Sequence, residues 1–419
     1  MKKLFYILLL LPLFVSSQQS LATLIAKYEE ELTDREAYPL PAGDVNQSSS
    51  PTLGFSSGGA RQDYYYMSYW LDAEIRLWQI TGDIAYFSQA KIWIDAMISD
   101  AVPVGVTNTG YLGWTATPSF LSATVKAEGV PLWEFYAFRH VATLLTILHD
   151  NPDFVSSNGL TTWYNNTLDF VRVNIFEKWW QNTSSGGAQG ALYRSRTHMV
   201  SAPMNLAAAL DYIYEDGHPD DSPNYATAWQ SIAYSGMPNW NEPNSIREQL
   251  VETGVNYFWY RDFVSSGSPS LIQDVLHSGD FHQNIHDMYL RGQYWTEADM
   301  QRFANTMENL WFQSGVDFDQ WEFVDGSGAD LSDTNSPNYS SYSALPRFLS
   351  QPLQNEMETG ILDVSNYNDD PVAGFLAYSK FLNDGGTLVY GNQSVPTPAN
   401  PNTPIVGGTS INKIMMIVN

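Results

Sequence analysis

"YYYMSYWLDAEIRLWQITGDIAYFSQAKIWIDAMIS", residues 64–99, reads as two helices joined by one sharp turn. An aromatic-rich stretch with helical spacing runs to Ile80, stops at Thr81-Gly82-Asp83, and an amphipathic helix starts at once. Glycine just past a helix can take the left-handed conformation that closes it, and aspartate before the next first turn can accept its free amides. The stretch therefore predicts a helical hairpin with Gly82 as stop and Asp83 as N-cap.

The same grammar returns in "IHDMYLRGQYWTEADMQRFANTMENLWF", 285–312, where one helix ends at Gly292 and Thr296 with Glu297 opens another. Between the two, "LWEFYAFRHVATLLTILHD" (132–150), "LTTWYNNTLDFVRVNIFEKWW" (160–180), "MVSAPMNLAAALDYIYE" (199–215) and "NSIREQLVETGVNYFWYRDF" (244–263) each carry helical spacing, and strand-like alternation is scarce. Repeated hairpins mean a solenoid or a closed ring. These share no period, and several helices are apolar nearly all round, as inner helices of a ring are. The expected fold is all-α: an (α/α) toroid of six or seven helical hairpins forming a single catalytic domain over 61–390.

Other segments flank it. "MKKLFYILLLLPLFVSSQQ" has a basic start, an apolar run and small residues before Gln18, which predicts a signal peptide over 1–17 and a secreted or periplasmic mature protein. Residues 18–60 predict a short N-terminal helix and an irregular Ser/Gly/Pro-rich wrap. Residues 391–419 form a Pro/Asn-rich linker and short tail. The 419 residues include no cysteine, which removes disulfides, thiolate metal sites and a thiol nucleophile. A net charge of -25 is the wrong sign for a nucleic-acid partner. No membrane partner is expected, and the protein reads as a monomer.

Chemistry-bearing residues gather in "DVLHSGDFHQNIHDMYLRGQYWT", 274–296. On a helix beginning near Asp280, Phe281, Ile285, Met288 and Gly292 share one stripe; His282, His286 and Tyr289 share a second, which would line a lumen. "HQNIH" has the i, i+4 spacing of a zinc-binding helix, but Gln283 stands where the glutamate base belongs, and two histidines are too few ligands. No metal site and no other cofactor are expected, a structural cation being left open. Tyr136, Arg139, His140 and Thr143 make a polar stripe on an apolar helix, with a buried pair between Arg139 and an acid such as Glu134 as the structural alternative. His198, Ser201 and Asn205 follow helical spacing just after Arg194 and Arg196. Tyr111 and Trp114, in the Gly-bracketed loop "TGYLGW", suit stacking on sugar faces.

No nucleophile elbow, P-loop or dinucleotide fingerprint occurs in its required context. His, Tyr, Asn and Arg around a groove suit proton abstraction beside a carboxylate. In β-elimination of a uronate polymer the C5 proton leaves, the carboxylate charge must be neutralised, and the C4 oxygen departs with a proton.

"WEFYAFRHVATLL", "RTHMVSAPMN" and the 274–296 stretch make the chain resemble the toroidal polysaccharide lyases that cleave alginate or glucuronan, over residues 61 to about 312. The last stretch is similar to a family pattern of Asp, then His-Gly-Asn, then a helix ending in Tyr, Gly and Trp. The resemblance implies His198 and Tyr289 as the proton-transfer pair, Arg139 and Asn205 on the carboxylate, and His277 assisting. Arg194, Arg196, His282, His286, Tyr136, Trp114 and Tyr111 would bind an anionic polysaccharide. "HSGD" departs from His-Gly-Asn, since Asp280 would repel a uronate unless protonated or paired. Two other classes stay open: a glycoside hydrolase using two of Asp63, Asp95, Asp274 and Asp280, and a non-catalytic carbohydrate-binding protein.

Overall fold

The computed structural model describes residues 20–37, 63–104, 110–114, 129–181, 196–214, 224–236, 245–261, 271–311, 322–328, 345–363 and 371–391. The segment expected as a signal peptide, all of 38–60, Arg194, the side chains of Asp63 and Tyr64 to Tyr66, and the tail beyond 391 fall outside them.

The described chain is mostly helical. Its helices are α1 (Leu21–Ala37), α2 (Asp63–Thr81), α3 (Ile84–Ser99), α4 (Pro131–Asp150), α5 (Pro152–Ser157), α6 (Thr161–Phe170), α7 (Thr197–Tyr214), α8 (Tyr225–Gln230), α9 (Ile246–Gln249), α10 (Ser278–Leu290), α11 (Glu297–Thr306), α12 (Gln351–Asp363) and α13 (Val372–Asn383). Helices α6, α8 and α11 run on into π-helical turns at Val171–Glu177, Ser231–Ser235 and Met307–Trp311. Two small antiparallel ribbons complete the set, β1 (Val102–Pro103) with β2 (Leu112–Gly113), and β3 (Leu250–Thr253) with β4 (Asn256–Trp259). Among the described residues, no helix is long and apolar enough to cross a membrane.

The α2–α3 hairpin forms as its sequence requires. Gly82 takes φ 70°, and the Asp83 carboxylate accepts from the Ala85 amide. The second hairpin repeats the device, with Gly292 at φ 73° and Thr296 capping α11 in a reciprocal box with Asp299. One helical expectation is overturned. Among the described residues of this stretch, 245–261, only Ile246–Gln249 is helical, and Leu250–Trp259 is the β3–β4 ribbon. Along β4, Tyr257 and Trp259 are buried while Asn256 and Phe258 are half-buried, a two-residue period that the apolar content masks. Gly254, at φ 60°, makes the turn.

Helices α2, α4, α7, α10 and α13 are buried on almost every side, whereas α3, α6 and α11 bury one face. Their side-chain contacts rise in step. Asp72 meets His140, and Arg76 meets Asp287. Arg139 meets Asp280, and Thr143 meets Asp287. Ser201 meets Asn284, and Gln293, just past α10, reaches the Ala208 carbonyl. Gly374 packs on Ala73, and Tyr378 lies under Arg76. Numbers that climb together across each contact mean that the five helices run parallel. Each of the first four is followed in the chain by a helix packed against it, and α1 packs along α13.

The middle of this bundle is ionic. Arg139 Nη2 donates to Asp280 Oδ1 at 2.6 Å and to Gln283 Oε1 at 3.0 Å, with both members of the ion pair fully buried. Arg76 bridges Asp72 and Asp287 at 3.0 and 2.5 Å. Burial alone would raise the Asp72 and Asp287 carboxyls, but Arg76 holds both below the usual carboxylate range. A buried pair opposes its own desolvation cost with Coulomb attraction, and losing one partner strands the other. Arg139→Met should therefore cost roughly 3–5 kcal/mol of unfolding free energy, and Arg139→Met with Asp280→Leu should recover most of it, as chemical denaturation of the three proteins will measure.

Candidate active site

Two histidines meet where α7 and α10 begin. Asp274 caps the turn Val275–His277, accepting from the His277 amide at 3.1 Å and standing 2.6 Å from His277 Nδ1. The His277 side chain is 41% exposed, with Nδ1 the nitrogen turned to Asp274. His198, in the first turn of α7, packs its ring 4.5 Å from that of His277 at 32°. It is buried, and its Nδ1 lies 3.2 Å from Gln273 Oε1.

Gln273 fixes the tautomer. Its amide nitrogen donates to Asp274 Oδ2 at 2.9 Å, so the amide oxygen is the atom turned to His198. That oxygen only accepts; His198 therefore carries its proton on Nδ1 and presents an unprotonated Nε2. Nε2 has no hydrogen-bonding partner among the described residues.

The two rings are driven apart in proton affinity. Burial, joined by the charge of His277, pushes His198 well below the ordinary imidazole value. Burial also opposes the His277 imidazolium, yet the hydrogen bond and charge of Asp274 outweigh it and raise the group. Asp274 is held low in turn, because the hydrogen bond and charge of His277 outweigh its own burial. The shifts oppose each other, favouring the neutral base at His198 and the protonated acid at His277, in ring contact. Arg196 is half-buried beside them, its charge bearing on both rings.

The other expected site residues lie elsewhere. Tyr289 stands near the far end of α10, roughly 18 Å of helical rise from His277. It cannot share a proton-transfer step with His198. Its ring packs on Phe348 at 5.5 Å and near His286 at 6.3 Å. His282 sits in an aromatic box, stacked on Trp311 at 4.9 Å and 2° and flanked by Trp259 and Phe303, with both ring nitrogens buried and unpartnered. It touches no groove. His282 and His286 join no third ligand; among the described residues no three His, Asp or Glu side chains are gathered as a metal site would need.

Arg139 is spent on Asp280, which also corrects the expected Glu134 partner: Glu134 pairs with Lys178 at 2.6 Å. Asp280 is thus neutralised and no obstacle to an anion. Asn205 is internal, accepting from Arg291 and donating to Asn284. Tyr136 is buried under the Arg139 guanidinium. Trp114 is core, its indole N–H given to the Met97 carbonyl and its ring against Phe138, so it offers no face to a sugar. Tyr111 is half-buried beside the β1–β2 ribbon.

The acids of a hydrolase are also committed: Asp274 to His277, Asp280 to Arg139, and Asp95 to Lys91 and Trp163 on α3, an outlying helix. Sequence reading missed Gln273 altogether. It also passed over Asp72 and Arg76, though an acid and a base four apart on a nearly all-apolar helix are a legible ion-pair signal.

Comparison of the chain with protein families, with curated proteins and with solved structures gives no match.

The buried histidines predict acid sensitivity. Burial holds His282 and His286 near about 3, below the 6.5 of an unfolded chain. Such groups contribute stability that is whole above about pH 6.5 and drains as pH falls toward 3, at up to about 1.4 kcal/mol per pH unit each. His282→Phe, which keeps the aromatic stack, should gain on the wild type progressively between pH 6.5 and 4 in denaturant titrations; a constant difference would contradict the assignment.

Proposed function

We propose that the protein is an exported polysaccharide lyase that cleaves a uronic-acid polymer, glucuronan or alginate, by β-elimination, acting as a monomer. The five parallel buried helices, each of the first four backed by a following helix, support an (α/α) toroid with the histidine pair at one mouth. The observation that carries the reading is the ring contact between His198 and His277, whose proton affinities are shifted in opposite directions. β-Elimination needs a base and an acid within one sugar residue of each other.

In this mechanism the uronate lies across the exposed edge of the pair. Arg196 and the His277 imidazolium offset the carboxylate charge and make C5–H more acidic. His198 Nε2 takes the C5 proton, the electrons of that bond form C4=C5, and the C4–O bond breaks with its electrons on oxygen. The His277 imidazolium protonates that oxygen. Solvent then removes the proton from His198 and returns one to His277.

Tyr289 has no part in these steps. This reading differs from the His198–Tyr289 pair implied by family resemblance and rests on the distance along α10. With glucuronan, alginate, ulvan and pectin as substrates, ultraviolet absorbance of the unsaturated product should rise for one polymer. His198→Ala should lower that rate by about 10²–10⁴-fold, while Tyr289→Phe stays within a few fold. New reducing ends without absorbance would show hydrolysis instead.

The pH profile carries a second test. The acid limb of kcat/KM should lie well below pH 6.5, where His198 protonates, and the alkaline limb above it, where His277 loses its proton. Asp274→Asn removes the charge that raises His277, so the alkaline limb should move down. An unmoved alkaline limb would remove His277 as the acid.

A further inference from the structure

A second group of polar side chains, near the C-terminal ends of the parallel helices, is used by nothing above. His286 and Tyr289 on α10 are buried by packing, and the Tyr289 hydroxyl and the His286 ring nitrogens have no hydrogen-bonding partner among the described residues. Tyr378 on α13 is nine-tenths buried, and its hydroxyl has no partner at all. Buried polar groups in a folded chain are nearly always satisfied. The Tyr378 hydroxyl is such an exception, and together with the partnerless groups of His286 and Tyr289 it calls for a ligand.

A cation completes the group. Arg347 is half-buried and makes no ion pair among the described residues. Its amide donates to Asn383 Oδ1 at 2.6 Å and its Nη2 reaches the Gly386 carbonyl only at 3.4 Å, which leaves most of the guanidinium uncommitted. Burial dominates the proton affinities of His286, Tyr289 and Tyr378, and the Arg347 charge also bears on all three. The nearby acids do not fill the gap: Asp287 is held by Arg76 and Thr143, and Glu297 is exposed at the start of α11.

The backbone here is strained. Leu345 at φ 59° and Arg347 at φ 76° flank Pro346 in the left-handed region, which long and branched side chains avoid. The same turn sets Phe348 against Tyr289 and His286, at 5.5 and 6.5 Å. Strain of this kind persists where it aims a side chain.

We propose that Arg347, Tyr289, His286 and Tyr378 form a second binding site, for the carboxylate of a uronate sugar. Arg347 takes the carboxylate; the tyrosine hydroxyls and the neutral imidazole take sugar hydroxyls; the Phe348 and Tyr289 rings supply the apolar wall. The site is separate from the histidine pair and stands whether or not that pair is catalytic.

Calorimetric titration of the mature protein with sodium glucuronate tests it, using His277→Ala as background so that binding at the pair does not obscure the result. Saturable glucuronate binding is expected, with no equal affinity for glucose. Arg347→Gln should weaken it by about tenfold or more. Arg347→Gly keeps the backbone path and relieves its strain, so it should melt higher than the parent and still lose binding. Absence of saturable binding, glucose bound as well as glucuronate, or parental affinity in the folded Arg347→Gly protein would each overturn the site.

Discussion

Everything in this molecule is arranged around charges that have been taken out of water. Arg139 and Asp280 are wholly buried, and Arg76 lies between Asp72 and Asp287 a turn away. Arg291 is a further buried cation on this bundle, bonded to Asn205 and Gln293. Such groups are tolerable only at the right distances, because a stranded charge in the interior costs several kcal/mol. The arrangement fixes the register of α2, α4 and α10 together. Sliding α10 by one residue would swing Asp280 and Asp287 about 100° round its axis, away from both arginines.

That constraint also decides where chemistry can occur. Charges in the middle of the bundle satisfy one another, so a substrate gains nothing by displacing them. The ends of the helices differ. At the N-terminal end, Asp274 and His277 are half-buried beside the buried Gln273 and His198. At the other end, His286 and Tyr289 are packed, and the half-buried Arg347 makes no ion pair among the described residues. Because α10 is pinned through Asp280 and Asp287, both ends inherit fixed positions. The histidine pair is consequently a rigid acid and base whose difference in proton affinity comes from burial on one side and a carboxylate on the other.

Much of the helical architecture was legible in sequence because its signals are local. Gly82, Asp83, Gly292 and Thr296 act through their own turns, and they stop and start helices where their chemistry says. The β3–β4 ribbon was not, since a short aromatic segment satisfies helical and alternating patterns equally well, and burial of Tyr257 and Trp259 against α11 decided it. The site was half legible. His198 and His277 could be named from residue type, but their companions depended on which helix end each occupies. Tyr289 shares a helix with the His277 neighbourhood and yet lies near its opposite end. Arg139 and His282 looked like site residues because polar groups on apolar helices usually face a cavity; here one meets Asp280 and the other an aromatic box. Gln273 carries no motif, and only the contacts of both ends of its amide reveal that it sets the His198 tautomer.

The central claim is that two touching histidines hold different protonation states at neutral pH. Long-range nitrogen–proton NMR correlation of the imidazole side chains across a pH titration reads it most directly. The account predicts His198 as the neutral Nδ1–H tautomer throughout the range in which His277 remains doubly protonated, with His277 losing its proton above pH 6.5. If both rings instead titrate together near 6.5, or if His198 carries its proton on Nε2, the acid–base division drawn here does not exist.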